Sequence, residues 1–264
     1  MREVDEALAR AYSHREKAEP ARGVPPAPHW PSHAVARRVG ALSPGEAVEP
    51  SHSDSSVELQ WPGVVLGLER DCGDRFDELA ASLIEIHHRT DIRAILFTSC
   101  HRAEGRTTLI LTLARALARH PVRTALVDAD LAGPMIARLL GLRPERGLED
   151  VVEGGLSLAD GLIEAADDHL TVLPIRSAVA RPREFLASPA WSATLARLRR
   201  DHELILLDGG PLFNGLSAST IHREVDAAVL VYHRELTGLR TLARARETLG
   251  SAGIPLLGLA ETFV

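Results

Sequence analysis

The sequence predicts an α/β fold, a parallel sheet with helices on both faces, and three observations point to it. From Trp61 onward, short apolar runs alternate with stretches of helical periodicity, the order that parallel strands joined by crossover helices require. The length of 264 residues suits one large α/β domain with a tail. Three of the apolar runs end in polar or glycine-rich loops, and open parallel sheets bind ligands at the carboxyl ends of their strands.

Each element follows from its local pattern. The spacing predicts a helix over 74–88, a buried strand "AILFTS" over 94–99, a helix over 106–119 and a strand over 123–128. A helix is expected near 132–140, followed by a variable region and a strand over 170–175. Further along come a helix over 189–200, the strand "ELILLD" over 203–208 and a helix or turn over 215–223. The strand "AAVLVY" over 227–232, a helix over 237–251 and a strand over 256–261 complete the domain. In the helix over 237–251, Leu239, Leu242, Ala245 and Leu249 form a core stripe rather than a membrane face.

Ahead of this domain, residues 1–19 place Val4, Leu8 and Tyr12 at helical spacing, a short amphipathic helix that needs a partner. Residues 20–60 are rich in Pro, Ser and His and read as a flexible linker, leaving 61–264 as the folded unit. The net charge of -6 argues against nucleic acid as a partner. Two cysteines, Cys72 and Cys100, make no disulfide framework, so a cytoplasmic location is expected. No apolar run is long enough for a membrane span, and membrane contact would come through a partner. Of the basic residues, Lys17 is the only lysine.

Three loops carry the candidate chemistry. In "SCHRAEGRTT", Gly105, Arg106 and Thr107 stand in the register of a Walker A loop, between a buried strand and a long helix. Ala103, Glu104, Gly105, Arg106, Thr107 and Thr108 would then line a phosphate, with converging N–H groups, a helix N-terminus and a cation. Thr107 offers a hydroxyl to Mg²⁺. Arg106 is longer and planar where a lysine ammonium is usual, and Ala103 would be strained if its φ were positive. In "LVDADLAGP", Asp128 and Asp130 alternate and so share one side of an extended segment. They suit catalytic work as proton acceptors or as holders of metal-bound water, the alternative being helix capping by Asp130. In "LILLDGGP", an apolar run ends in Asp208, the form of a Walker B strand facing Mg²⁺.

Together these segments resemble the bacterial tyrosine kinases, cytoplasmic P-loop proteins that regulate capsule and exopolysaccharide synthesis, within the wider group of MinD and ParA ATPases. The resemblance covers about 61–264. It includes "RGLEDVVEGGLSLADGLI", "LTVLPIRSAVARPREFLASPAW" and "VDAAVLVYHRELTGLRTLARARETLGSAGIPLLGLAE". It implies a MinD/ParA-like P-loop NTPase fold with ATP and Mg²⁺ as cofactors. Arg106 would take the lysine's place on the β- and γ-phosphates, Thr107 would bind Mg²⁺, and Thr108 would contact the α-phosphate. Asp128 and Asp130 would serve Mg²⁺ and the attacking tyrosine hydroxyl, with Asp208 in the Mg²⁺ shell. The implied partner is a membrane-bound polysaccharide copolymerase or export component, which could recruit the chain to the inner membrane.

The departures from the family pattern are concentrated at the site. His101 stands where MinD-type loops carry a signature lysine. The ring-assembly arginines of the family are missing from "DRFDELAAS", where Asp77 and Ala80 stand, so an octameric ring is not expected. No acid lies between Asp208 and Glu224, and Glu261 and Thr262 stand where a base-reading Asn is frequent. A terminal tyrosine cluster is missing, leaving only Tyr12 and Tyr232. The expectation is a degenerate kinase-like protein that acts by binding a partner, with ATP turnover reduced or lost. The alternatives are an active tyrosine kinase with an arginine-variant loop and a ParA/MinD-type ATPase. His87, His88, His101 and His169 show no metal-ligand spacing and read as solvated.

Overall fold

The computed structural model describes residues 57–165, 169–213 and 224–262. The expected helix at 1–19, the linker as far as residue 56 and the helix or turn at 215–223 lie outside them.

In chain order the elements are α1 (Gly63–Thr90), β1 (Ala94–Ser99), α2 (Arg106–Ala118), β2 (Thr124–Ala129) and α3 (Ile136–Leu139). Then follow α4 (Leu148–Val152), α5 (Leu158–Gly161), β3 (Ile163–Glu164), β4 (Leu170–Leu173), α6 (Pro182–Ala187) and α7 (Pro189–Asp201). β5 (Leu204–Pro211), β6 (Ala227–His233), α8 (Leu239–Ser251) and β7 (Leu256–Thr262) complete the described residues. The seven strands form one sheet in the order β3–β4–β2–β5–β1–β6–β7. All neighbours are parallel except β3 with β4.

The central strands are buried on both sides, and their residues divide alternately between two cores. On β1, Ala94 and Leu96 join α7 (Trp191, Leu195, Leu198) and α8 (Leu242, Ala245, Leu249) on one face. Ile95 and Phe97 join α1 and α2 (Leu83, Ile110, Leu113, Leu117) on the other. The period of two along the strand thus puts helices on both faces.

Several boundaries differ from the sequence reading. α1 starts at Gly63, eleven residues before the expected position at 74, and its helical geometry breaks at Cys72 (φ -140°, ψ 21°). Gly67 and Gly73 weaken the local helical signal, yet Val65 is fully buried and anchors the extra turns. The helix expected over 132–140 contracts to Ile136–Leu139. β3, α4, α5 and α6 arise in the region read only as variable or as connecting sequence. Residues 57–60, read as the end of the linker, touch the domain: Leu59 is buried and the Gln60 N–H donates to the Leu140 carbonyl at 3.1 Å.

Strand register assembles the site. β2 and β5 pair so that Asp128 lies opposite Asp208, and β1 pairs with β5 so that Ser99 lies opposite Pro211. A Cβ on Gly209 would come within 2.5 Å of Leu96 Cδ1 and 3.2 Å of the Phe97 carbonyl oxygen, so a side chain there would force Leu96 on β1 to move.

Candidate functional site

The loop between β1 and α2 turns through two left-handed residues, Ala103 (φ 62°) and Gly105 (φ 77°). The strain anticipated at Ala103 is therefore present, since a Cβ disfavours this conformation. At Gly105 a side chain is excluded twice, by φ and by Thr262, whose Cγ2 would lie 3.0 Å from an added Cβ.

Arg106, the first residue of α2, sends its side chain down into the protein rather than out over the loop, and is 8 % exposed. Its Nε donates to Asp208 Oδ1 at 2.6 Å, Nη1 to Ser99 Oγ at 3.1 Å and Nη2 to Asp130 Oδ2 at 3.1 Å. Thr107 Oγ1 donates to the other oxygen of Asp208, Oδ2, at 2.8 Å. Arg102 approaches Asp130 from outside, with Nη1 3.2 Å from Oδ2 and Nη2 3.3 Å from Oδ1. Burial opposes the charge of Arg106, but Asp208 and Asp130 more than offset it and hold the guanidinium protonated. Burial pushes the Asp208 carboxyl up, against the pull of Arg106 and Thr107.

Asp128 has a different environment. Its carboxylate accepts N–H groups from Asp130 (3.3 Å), Met135 (3.0 Å) and Ile136 (3.0 Å), capping α3 from the strand below. It is fully buried beside Asp208, and burial followed by that neighbouring charge pushes it up to about 7. Asp130 accepts the Gly133 N–H at 3.1 Å, so it closes a turn as well as meeting both arginines.

Glu104 is buried beneath the loop, where Oε2 accepts the His101 N–H at 2.7 Å and Oε1 accepts the Thr237 hydroxyl. Thr262 donates to the Glu104 carbonyl at 2.8 Å, tying the end of β7 to the loop. Burial and Glu104 raise the Cys100 thiol to about 11, which leaves it unreactive. Above the buried pairs lies a cavity of about 390 Å³, lined by Arg102 to Thr108 together with Asp130, Gly133, Met135 and Leu139.

The structure thus gathers every residue that the motifs nominated: Ala103, Glu104, Gly105, Arg106, Thr107, Thr108, Asp128, Asp130 and Asp208. Sequence reasoning missed Ser99, Arg102, Thr237 and the packing of Thr262. Only Ser99 and Arg102 carried a signal, since they flank the loop. Of the residues nominated for Mg²⁺, which demands nearly ideal octahedral oxygen ligands at about 2.0–2.1 Å, Asp128 is occupied by three backbone N–H groups. The Thr107 hydroxyl and both Asp208 oxygens are engaged, Asp130 faces two arginines, and a guanidinium stands among these groups. In this arrangement they do not fit the metal.

Sheet order and loop positions define an α/β fold like that of the P-loop NTPases. No family model matches the chain. It is 26% identical over 169 residues to tyrosine-protein kinase CpsD of Streptococcus pneumoniae, covering 64% of this chain and 74% of that one. It is 27% identical over 122 residues to the succinoglycan biosynthesis transport protein ExoP of Rhizobium meliloti, covering 45% of this chain and 16% of ExoP. Among solved structures, the kinase domain of the Escherichia coli tyrosine kinase ETK superposes with a TM-score of 0.69 at 21% identity, covering 75% of this chain and 79% of that one. MinD of Pyrococcus horikoshii, solved with Mg-ADP, gives 0.53 at 22%, covering 63% and 68%. The homologues are bacterial tyrosine-protein kinases, as the sequence motifs implied.

Proposed function

We propose that this chain regulates exopolysaccharide or capsule synthesis by binding a membrane-bound polysaccharide copolymerase or export component, with ATP turnover reduced or lost. One observation carries this reading. The only cation at the Walker lysine position, Arg106, is buried and bonded to Asp208, Asp130 and Ser99 instead of being directed at a phosphate. The guanidinium supplies internally the positive charge that a metal would bring to these carboxylates. The partner-binding half of the reading rests on the kinship with CpsD and ExoP. Among the described residues no helix is long and apolar enough to cross a membrane. Cytoplasmic action with recruitment to the inner membrane by the partner fits that. A ring built through α1 finds little support: Ala80 is fully buried and Asp77 pairs with Arg119 of the same chain.

An active tyrosine kinase is the second reading. It is favoured by the cavity of about 390 Å³ over the loop, which is of ligand size. Calorimetry with Mg·ATP separates the two. Absence of binding by the wild type at millimolar nucleotide would exclude the second reading. Binding accompanied by phosphotyrosine that Asp128→Ala abolishes would establish the second.

A further inference from the structure

His87 and His88 show no ligand spacing in the sequence, but the fold changes their surroundings. They occupy the last turn of α1, and Glu203, the residue before β5, is brought to the same place. One ligand atom from each of the three lies within 4.8 Å of the others. We propose that His87, His88 and Glu203 form a transition-metal site of the zinc class at the amino-terminal edge of the sheet, the opposite end from the P-loop.

Each side chain is prepared for this role. His87 is buried, and its Nδ1 lies 3.1 Å from the Ile92 carbonyl oxygen. A carbonyl only accepts, so Nδ1 carries the proton and Nε2 keeps its lone pair. This is the hydrogen bond that orients a metal-binding imidazole. Glu203 uses Oε2 to accept the Arg123 N–H at 3.1 Å, which fixes its carboxylate and leaves Oε1 for a metal. His88 is exposed and tilted 50° from His87, with ring centroids 5.5 Å apart, so the two imidazoles are not stacked face to face. Rotation of this exposed ring draws the donors toward the roughly 3.4 Å separation that tetrahedral zinc requires.

The surroundings favour a cation. The last carbonyls of α1 present the negative end of the helix dipole. At the end of α1, Arg89 pairs with Glu85 and Arg93 with Asp91, while Arg123, whose backbone N–H meets Glu203, is exposed. Two imidazoles and one carboxylate select a borderline ion such as Zn²⁺ over Mg²⁺ or Ca²⁺. Three protein ligands leave a fourth position for water. The ion would join the end of α1 to the start of β5, elements far apart in sequence. It would therefore bind the folded chain in preference to the unfolded one and stabilise it.

The test uses the full chain, ZnCl₂ in a chelator-free buffer, and the variants His88→Ala and Glu203→Gln. His88 is exposed, and glutamine retains an acceptor for Arg123, so both variants keep the fold. One zinc per chain is expected, with a rise in the unfolding midpoint that EDTA reverses and MgCl₂ does not reproduce. Each variant should weaken binding by at least about tenfold. Co²⁺ should give the visible bands of a four- or five-coordinate ion, absent in His88→Ala. No uptake at submillimolar zinc overturns the proposal. So does uptake unchanged in both variants, which would place the ion on other histidines. Neither result touches the P-loop reading.

Discussion

Arg106 is placed where burial and charge make opposite demands. A buried guanidinium is tolerable only while its carboxylates stay, and the carboxylates only while it stays. Arg106→Ala should therefore lower stability by about 3–5 kcal/mol in urea denaturation, far more than loss of a surface arginine. For the same reason, the wild-type unfolding midpoint should not respond to Mg²⁺ or EDTA in zinc-free buffer. Ala103 stores strain of the opposite kind, and Ala103→Gly should relieve it and gain up to about 1 kcal/mol in the same assay. Asp128, raised to about 7, binds its proton more tightly folded than unfolded, where its ordinary value is about 3.9. Its stabilising contribution is complete below about pH 4 and is lost as pH rises toward 7. Over that window the wild type should lose stability relative to Asp128→Asn by about 1.4 kcal/mol per pH unit, levelling off at either end.

At the scale of elements, well-marked ends were legible and unmarked ones were not. α7 begins where expected because Ser188 caps it, accepting the Trp191 N–H at 3.2 Å, and Pro189 occupies its first turn. Ser188→Ala should cost about 1 kcal/mol, measured by thermal unfolding, while leaving Trp191 buried. The first turns of α1 escaped the sequence reading because their glycines suppress the helical pattern. Packing of Val65 in the core offsets that weakness. β3 is two residues long, too short for any periodicity, and exists through its pairing with β4.

For the whole molecule, the proposed loss of turnover can be checked at the two tyrosines, Tyr12 and Tyr232. Tyr232 lies on β6 with its hydroxyl 2.6 Å from Glu261 Oε2, and Glu261 also pairs with Arg234. A side chain held this way cannot travel to a neighbour's site. Tyr12 lies outside the described residues, ahead of the Pro-, Ser- and His-rich stretch. Purified protein incubated with Mg·ATP should show little phosphotyrosine by mass spectrometry, and any signal should disappear in Tyr12→Phe. Strong labelling of Tyr232 would contradict both its placement and the proposed loss of turnover.

The sequence by itself determined the α/β class, the order of the central strands and helices, and the three loops that meet at one end of the sheet. Each of these follows from local periodicity or from residues adjacent in the chain. It could not determine what Arg106 does. Whether a long cation reaches out to a phosphate or inward to Asp208 and Asp130 depends on residues 102 and 24 positions away. Likewise, Glu203 meets His87 and His88 only because β5 starts beside the end of α1. Charge pairing across the sheet and proximity at its far edge are properties of strand register, and register is set by tertiary packing rather than by any local stretch of chain.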